Sequence, residues 1–298
     1  MSNFTLLDTR FHEIVDERET CQQLATGMAF TEGPVYLPDQ DAVLFTDIPA
    51  NAIMRWSATR GLSIYESNAH FAIGLYLDLQ GRLIACEHST RRLTRREADG
   101  SVTVLASHHG AHILNSTNDV CVRRDGAIFF TDPPFGVRQE DGQLHGYQQA
   151  MEYGCCGVFR VTDDPTAPQL VLRDIYRPNG LCFSPDERVL YVSDSSERHH
   201  CVYAYDMIDD QPTNGRVFAV LPRGVPDGMR VDERGRLYVA GLDGVYVYSP
   251  DGTHLGILHV PEMVTNLCFG GADRQTIYIT AVSSLYAFRV KTRGVQRP

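Results

Sequence analysis

One strand–turn–strand phrase recurs six times along this chain of 298 residues. EGPVYLPDQDAVLFTD (32–47) lies over NGLCFSPDERVLYVSD (179–194) without a gap. Shorter versions read IGLYLDLQGRLIACE (73–87), NDVCVRRDGAIFFTD (118–132), DGMRVDERGRLYVA (227–240) and NLCFGGADRQTIYITA (266–281). The phrase opens at Glu32, Ile73, Asn118, Asn179, Asp227 and Asn266, giving steps of 41, 45, 61, 48 and 39 residues. Repeats of that length, with strands and no helices in each unit, are blades of a β-propeller: one blade cannot bury its own faces, and a closed ring of blades can. The expected fold is all-β, a six-bladed β-propeller spanning residues 1–298 as one domain. Val, Tyr, Phe and Ile crowd the phrases, as buried strands require. Turn pairs such as Pro38-Asp39, Asp125-Gly126 and Pro185-Asp186 stand where the first hairpin should bend.

A propeller converts a sequence repeat into a circle. Each blade lends its innermost strand to the wall of a central channel, so the six opening residues should meet round one axis. Alone, Asn-Gly or Asp-Gly is an ordinary turn. The shared register is what makes Glu32, Asn118, Asn179 and Asp227 a candidate metal-binding set. Two carboxylates and two amide carbonyls form an all-oxygen site of the kind that suits Ca²⁺, which takes about 6–8 oxygens in irregular geometry. Mg²⁺ prefers a stricter octahedron, and zinc or iron would favour His or Cys at the ring. The expected cofactor is a divalent cation, calcium foremost, with Mg²⁺, Mn²⁺ and Zn²⁺ left open.

Composition narrows the partners. The formal charge is −10, and the nearest basic cluster, RRLTRR (91–96), alternates like a strand with one solvated basic edge, so no nucleic-acid partner is expected. No apolar run approaches the roughly 20 residues that cross a bilayer, and the charged start MSNFTLLDTRFHEIVDERET does not read as a secretory peptide. A cytoplasmic protein with no membrane partner is the expectation. Cys121, Cys182 and Cys268 share one repeat position, which reads as packing by a small apolar side chain; all eight cysteines are expected as free thiols. HHGAH (108–112) lies in a loop ahead of the third phrase and reads more readily as surface than as a metal site.

Two segments fall outside the repeat. Residues 1–30, with FHEIV (11–15) and CQQLA (21–25), precede the first phrase, while the last unit lacks room for a full blade. One of these stretches is expected to supply the outer strand of the final blade and close the ring. The 61-residue step contains PPFGVRQEDGQLHGYQQAMEYGCC (133–156), long enough to form a lid or rim over the channel mouth.

Taken together, EGPV, STNDV, RPNGLCFSPDE, VPDGM and TNLCFGG resemble the gluconolactonase / senescence-marker-protein-30 / luciferin-regenerating-enzyme family over residues 28–288. The resemblance implies a six-bladed propeller with a divalent cation, typically calcium, in its channel. It implies Glu32, Asn179 and Asp227 as direct ligands, Asn118 as a further ligand or substrate contact, and Asp227 as general base. It also places Glu87 and His88 of LIACEH near the channel and Asn266 on its rim, as substrate-binding candidates. The implied activity is metal-assisted hydrolysis of a sugar lactone of the gluconolactone type, with a small-molecule partner. An organophosphate or aryl-ester hydrolase on the same scaffold, or a non-catalytic cation-binding propeller, are the alternatives. Two positions depart from the family pattern: Ile73 replaces the usual Asn, and Ser116-Thr117 stand where animal members carry an arginine. No G-x-S-x-G elbow occurs, which argues against a covalent acyl-enzyme.

Overall fold

The computed structural model describes residues 3–138 and 146–295. Six antiparallel sheets stand round one axis as the blades of a six-bladed β-propeller. Blade 1 runs outward through Thr31–Leu37, Ala42–Asp47, Ala52–Ser57 and Gly61–Ser67. Blade 2 uses Ala72–Leu77, Leu83–Glu87, Arg92–Arg96 and Val102–Ala106. Blade 3 uses Val120–Val122, Ile128–Asp132, Gly157–Arg160 and Gln169–Leu172. Blade 4 uses Pro178–Phe183, Val189–Asp194, Cys201–Ile208 and Gln211–Val220. Blade 5 uses Met229–Val231, Leu237–Gly241, Gly244–Tyr248 and His254–His259, and blade 6 begins with Val264–Gly270, Thr276–Ala281 and Ser284–Arg289. Each inner strand packs on the inner strands of the blades before and after it, and the sixth packs on the first.

The chain's beginning completes its end. Gln22–Thr26 pairs antiparallel with Ser284–Arg289, with Gln22 opposite Ala287 and Thr26 opposite Ser284, and so forms the outer strand of blade 6. FHEIV does something else. It forms a short 3₁₀ turn, Thr9–Glu13, whose Phe11, with Ile14 and Val15 after it, is fully buried against blades 5 and 6. Phe4–Leu6 adds a fifth strand to blade 5, a pairing the repeat gave no reason to expect.

The blades adhere face to face through large side chains, as an apolar two-faced sheet demands. Phe129 meets Phe183 edge-on at 5.2 Å between blades 3 and 4, and Tyr238 meets Phe269 at 5.2 Å between blades 5 and 6. Tyr36 stacks on Tyr278 across the seam between blades 1 and 6. Each such pair adds roughly 0.5–1.5 kcal/mol beyond the area it buries. Ion pairs also join blades, as Arg123 and Arg160 of blade 3 do with Asp210 of blade 4. RRLTRR is a third strand whose cations are neutralised: Arg96 pairs with Glu66 and Glu87, Arg92 with Glu87, and Arg95 with Glu97. The solvated basic edge expected from its alternation is instead an ion-pair lattice between blades 1 and 2. No helix among the described residues is long and apolar enough to cross a membrane.

Candidate active site

The inner strands build the site in layers. In register, the first layer is Glu32, Ile73, Asn118, Asn179, Asp227 and Thr265, and the next is Gly33, Gly74, Asp119, Gly180, Gly228 and Asn266. The second layer is glycine at four of six places for a steric reason. A Cβ on Gly33 would strike the Ile73 carbonyl oxygen, one on Gly74 that of Asn118, and one on Gly180 that of Asp227. Each strand can approach the next so closely only where no side chain intervenes. Hydroxyls on the second strands lock the same junctions. Thr46 Oγ1 donates to the Ile73 carbonyl at 3.1 Å, Thr131 Oγ1 to that of Asn179 at 2.7 Å, and Ser193 Oγ to that of Asp227 at 3.0 Å.

Register corrects one expectation. The Gly228 N–H donates to the Thr265 carbonyl just as the Gly74 N–H donates to that of Asn118, so Thr265 is the ring residue of blade 6 and Asn266 lies one step further in. There Asn266 Nδ2 donates to Glu32 Oε2 at 2.9 Å and its Oδ1 accepts from the Leu267 N–H. The Gly33 N–H also donates to Glu32 Oε2, at 2.6 Å. Asn266 therefore orients Glu32.

Glu32, Asn118 and Asn179 are buried and Asp227 is half-buried. Asn118 Nδ2 donates to Asn179 Oδ1 at 2.6 Å, tying two ring members together. Asn118 Oδ1 and Asp227 Oδ1 are buried with no hydrogen-bond partner among the described residues. Leaving a buried acceptor unsatisfied costs on the order of 1–3 kcal/mol, so two of them on one ring mark a place built for something else to bind. Burial raises the proton affinity of both acids. Glu32 is pushed up by desolvation, and Asp227 well up by desolvation and by the nearby Glu32 charge. Two carboxyls in one dry cage resist ionising together unless a cation joins them.

Below the ring lies a pair that the repeat did not expose. Asp119 and Arg230 are both buried, with Oδ2 to Nη1 at 3.8 Å. Arg230 holds the position that Cys121, Cys182 and Cys268 hold in other blades, and its guanidinium lies over the Tyr76 ring at 5.6 Å. A lone arginine in a register otherwise of Val, Tyr and Cys was the available signal. Burial lifts Asp119, and the Arg230 charge opposes that rise. The three cysteines are buried free thiols, raised by desolvation.

Acids ending the second strands set the approach to the ring. Asp47 accepts from the N–H groups of Ala29 and Phe30, Asp132 from Asn115 and Ser116, and Asp194 from Tyr176 and Arg177. Glu87 has the equivalent place in blade 2, but its oxygens are taken by Thr90, Thr94, Arg92 and Arg96. In its stead Asn51 Oδ1 accepts from the Phe71 N–H. Glu87 thus braces the third strand of its own blade and presents no open carboxylate oxygen. His88 is fully buried, and a Cβ on Gly136 would collide with its ring. The stretch 133–138 therefore lies directly against His88.

That stretch and 146–156 belong to the long excursion of blade 3; its residues 139–145 fall outside the described ones. The Gly136 N–H donates to Ser116 Oγ at 2.9 Å, and Arg91 donates to the carbonyls of Leu114, Asn115 and Ala150. Tyr153 OH donates to Asp132 Oδ2 at 2.5 Å. The described parts are thereby fastened to the segment that leads into Asn118. HHGAH forms a short ladder, His108–His109 with His112–Ile113, and His109 packs on Tyr153 and Phe159. No group of three His, Cys, Asp or Glu able to hold a metal occurs among the described residues, so a cation at the hub would need asparagine oxygens as well.

Six blades round a buried cage of two carboxylates and two asparagines define a β-propeller with an oxygen-donor hub. The chain belongs to the SMP-30/gluconolactonase/LRE-like family, whose profile matches residues 30–283. It is 28% identical to the gluconolactonase of Zymomonas mobilis over 319 aligned residues, covering 99% of this chain and 88% of that protein. It is 29% identical to the pentonolactonase XacC of Haloferax volcanii, covering 86% and 82%. The solved structure of a gluconolactonase from Xanthomonas campestris superposes with a TM-score of 0.90 at 32% identity, over 97% of this chain and 94% of that one.

Proposed function

We propose that this protein is a metal-dependent lactonase that opens aldonolactones of the gluconolactone type. The observation that carries the proposal is the pair of buried oxygens, Asn118 Oδ1 and Asp227 Oδ1, without a hydrogen-bond partner among the described residues, on a ring that also holds Glu32 and Asn179. Those four residues fit a hard divalent cation, calcium foremost, and would be the ones to hold it. Such an ion, when bound, supplies Lewis-acid polarisation of a carbonyl oxygen and offsets the charge that develops there. Membership of a family whose relatives are named as lactonases supplies the reaction class.

The chain's own groups divide the remaining work. Asp227 is the general base, taking a proton from the attacking water onto a carboxylate oxygen. It is half-buried where Glu32, Asn118 and Asn179 are buried, which makes it the most accessible of the four to water. Glu32 is fixed by Asn266 and the Gly33 N–H, so its charge stays in place throughout turnover. Asn118 and Asn179 brace each other and face the hydroxyls of a sugar ring at the mouth. His88, sealed beneath Gly136, supports that wall. Replacing Asp227 with Ala should lower kcat on gluconolactone by about 10²–10⁴-fold, the usual worth of a positioned base. Wild-type rates in D227A, measured by acid release, would overturn the assignment.

A further inference from the structure

A cavity of about 420 Å³ adjoins the ring approach on the side of blades 3 and 4, and its charge is opposite to that of the molecule. The chain carries −10 overall, yet among the described residues Arg138, Arg173 and Arg177 line this cavity with His199, against one acid, Asp174. Neither the Arg138 nor the Arg173 guanidinium forms an ion pair or hydrogen bond among the described residues. Both are exposed, so their charges are placed to meet a ligand from solution.

The wall is built. Asp194, fully buried, accepts from the N–H groups of Tyr176 and Arg177 and from His199 Nδ1 at 2.7 Å. One carboxylate thus fixes the backbone at Arg177 and the orientation of the His199 ring. Tyr176 meets the His199 ring edge-on, and the Arg177 guanidinium lies over the Tyr176 ring at 5.6 Å. Two of the cavity's walls lead along the chain to the hub. Arg177 precedes Asn179 by two residues, roughly 7 Å of extended chain. The opposite wall, at Pro134, follows Pro133, whose carbonyl accepts from Ser116 Oγ two residues before Asn118.

We infer that this cavity receives an oxyanion at the far end of the substrate, so that the preferred lactone is one whose chain terminates in a carboxylate, phosphate or sulfonate. Arginine forks match such groups in geometry as well as charge, and a cationic pocket in an acidic surface concentrates anions locally. With Arg177 only two residues from Asn179, a lactone whose carbonyl lies at the hub can direct its far end towards the arginines. This inference rests on the lactonase reading of the hub.

The test uses the 298-residue protein and the double variant R138Q/R173Q, whose two side chains are exposed and form no ion pair among the described residues. Gluconolactone is compared with six-carbon lactones bearing a terminal phosphate, carboxylate or sulfonate in separate arms. Wild type should favour at least one anionic lactone over gluconolactone by tenfold or more in kcat/KM, and the double variant should erase at least a tenfold share of that ratio. The arm with the largest ratio identifies the anion. No preference in wild type, or an equal ratio in the variant, overturns the inference while leaving the lactonase reading intact. Calorimetric titration with an aldonate bearing a terminal phosphate is read independently of turnover. If no lactone of any kind is opened, the lactonase reading fails, and the oxyanion site stands or falls on whether R138Q/R173Q weakens that binding tenfold.

Discussion

Gly180 is restricted by its neighbour: the Asp227 carbonyl fills the space a side chain would need. Gly180→Ala must push back the backbone that carries the proposed base. The expected cost is about 1–3 kcal/mol of stability, typical of overpacking, together with a larger fractional loss of turnover than of folding. Urea unfolding and lactone hydrolysis on the same sample check this, and a variant indistinguishable from wild type in both would show the packing to be slack. The ring itself was legible in the sequence because the shared register put Glu32, Asn118, Asn179 and Asp227 in phase. Asn266 was placed one step off because TNLCFGG lacks the glycine that marks the register elsewhere. Asp119 and Arg230 stayed hidden because each looks ordinary in its own blade, and only the closed circle brings the two charges together.

Among the elements, the N-terminal thirty residues do three jobs at once. They give an edge strand to blade 5, a buried 3₁₀ plug, and the outer strand of blade 6. Removing residues 1–26 would expose two sheet edges and strip Phe11, Ile14 and Val15 from the core. Losing one buried Phe commonly costs about 3–5 kcal/mol, against a total stability of about 5–15 kcal/mol. The truncated chain should therefore fail to unfold cooperatively and should aggregate; a melting temperature within a few degrees of wild type would contradict this. Strand positions were readable because alternation and turn pairs are local signals. Phe4–Leu6 was not, since three residues carry no periodicity. Glu87 misled for a different reason: it shares the repeat position of Asp47, Asp132 and Asp194, but the arginines around it are specific to blade 2.

For the whole molecule, the hub is where stability and ligand binding are coupled. The acids Glu32 and Asp227 are partly desolvated and hard to ionise together, so a cation that binds only the folded ring should stabilise it. At free calcium of about 100 times Kd the gain is about 2.7 kcal/mol, enough for a rise of several degrees in Tm. Stripping with a chelator should reverse that shift and silence lactone hydrolysis together. A Tm indifferent to both chelator and calcium would remove the metal from the account. The seam at blade 6 has one more consequence, which concerns time rather than space. Gln22–Thr26 is synthesised before its partner Ser284–Arg289, with five full blades between them, so that strand must wait unpaired until those blades have been made. Its composition suits that wait: QQLAT offers two glutamines, a threonine and only one large apolar side chain, little for a passing chain to seize.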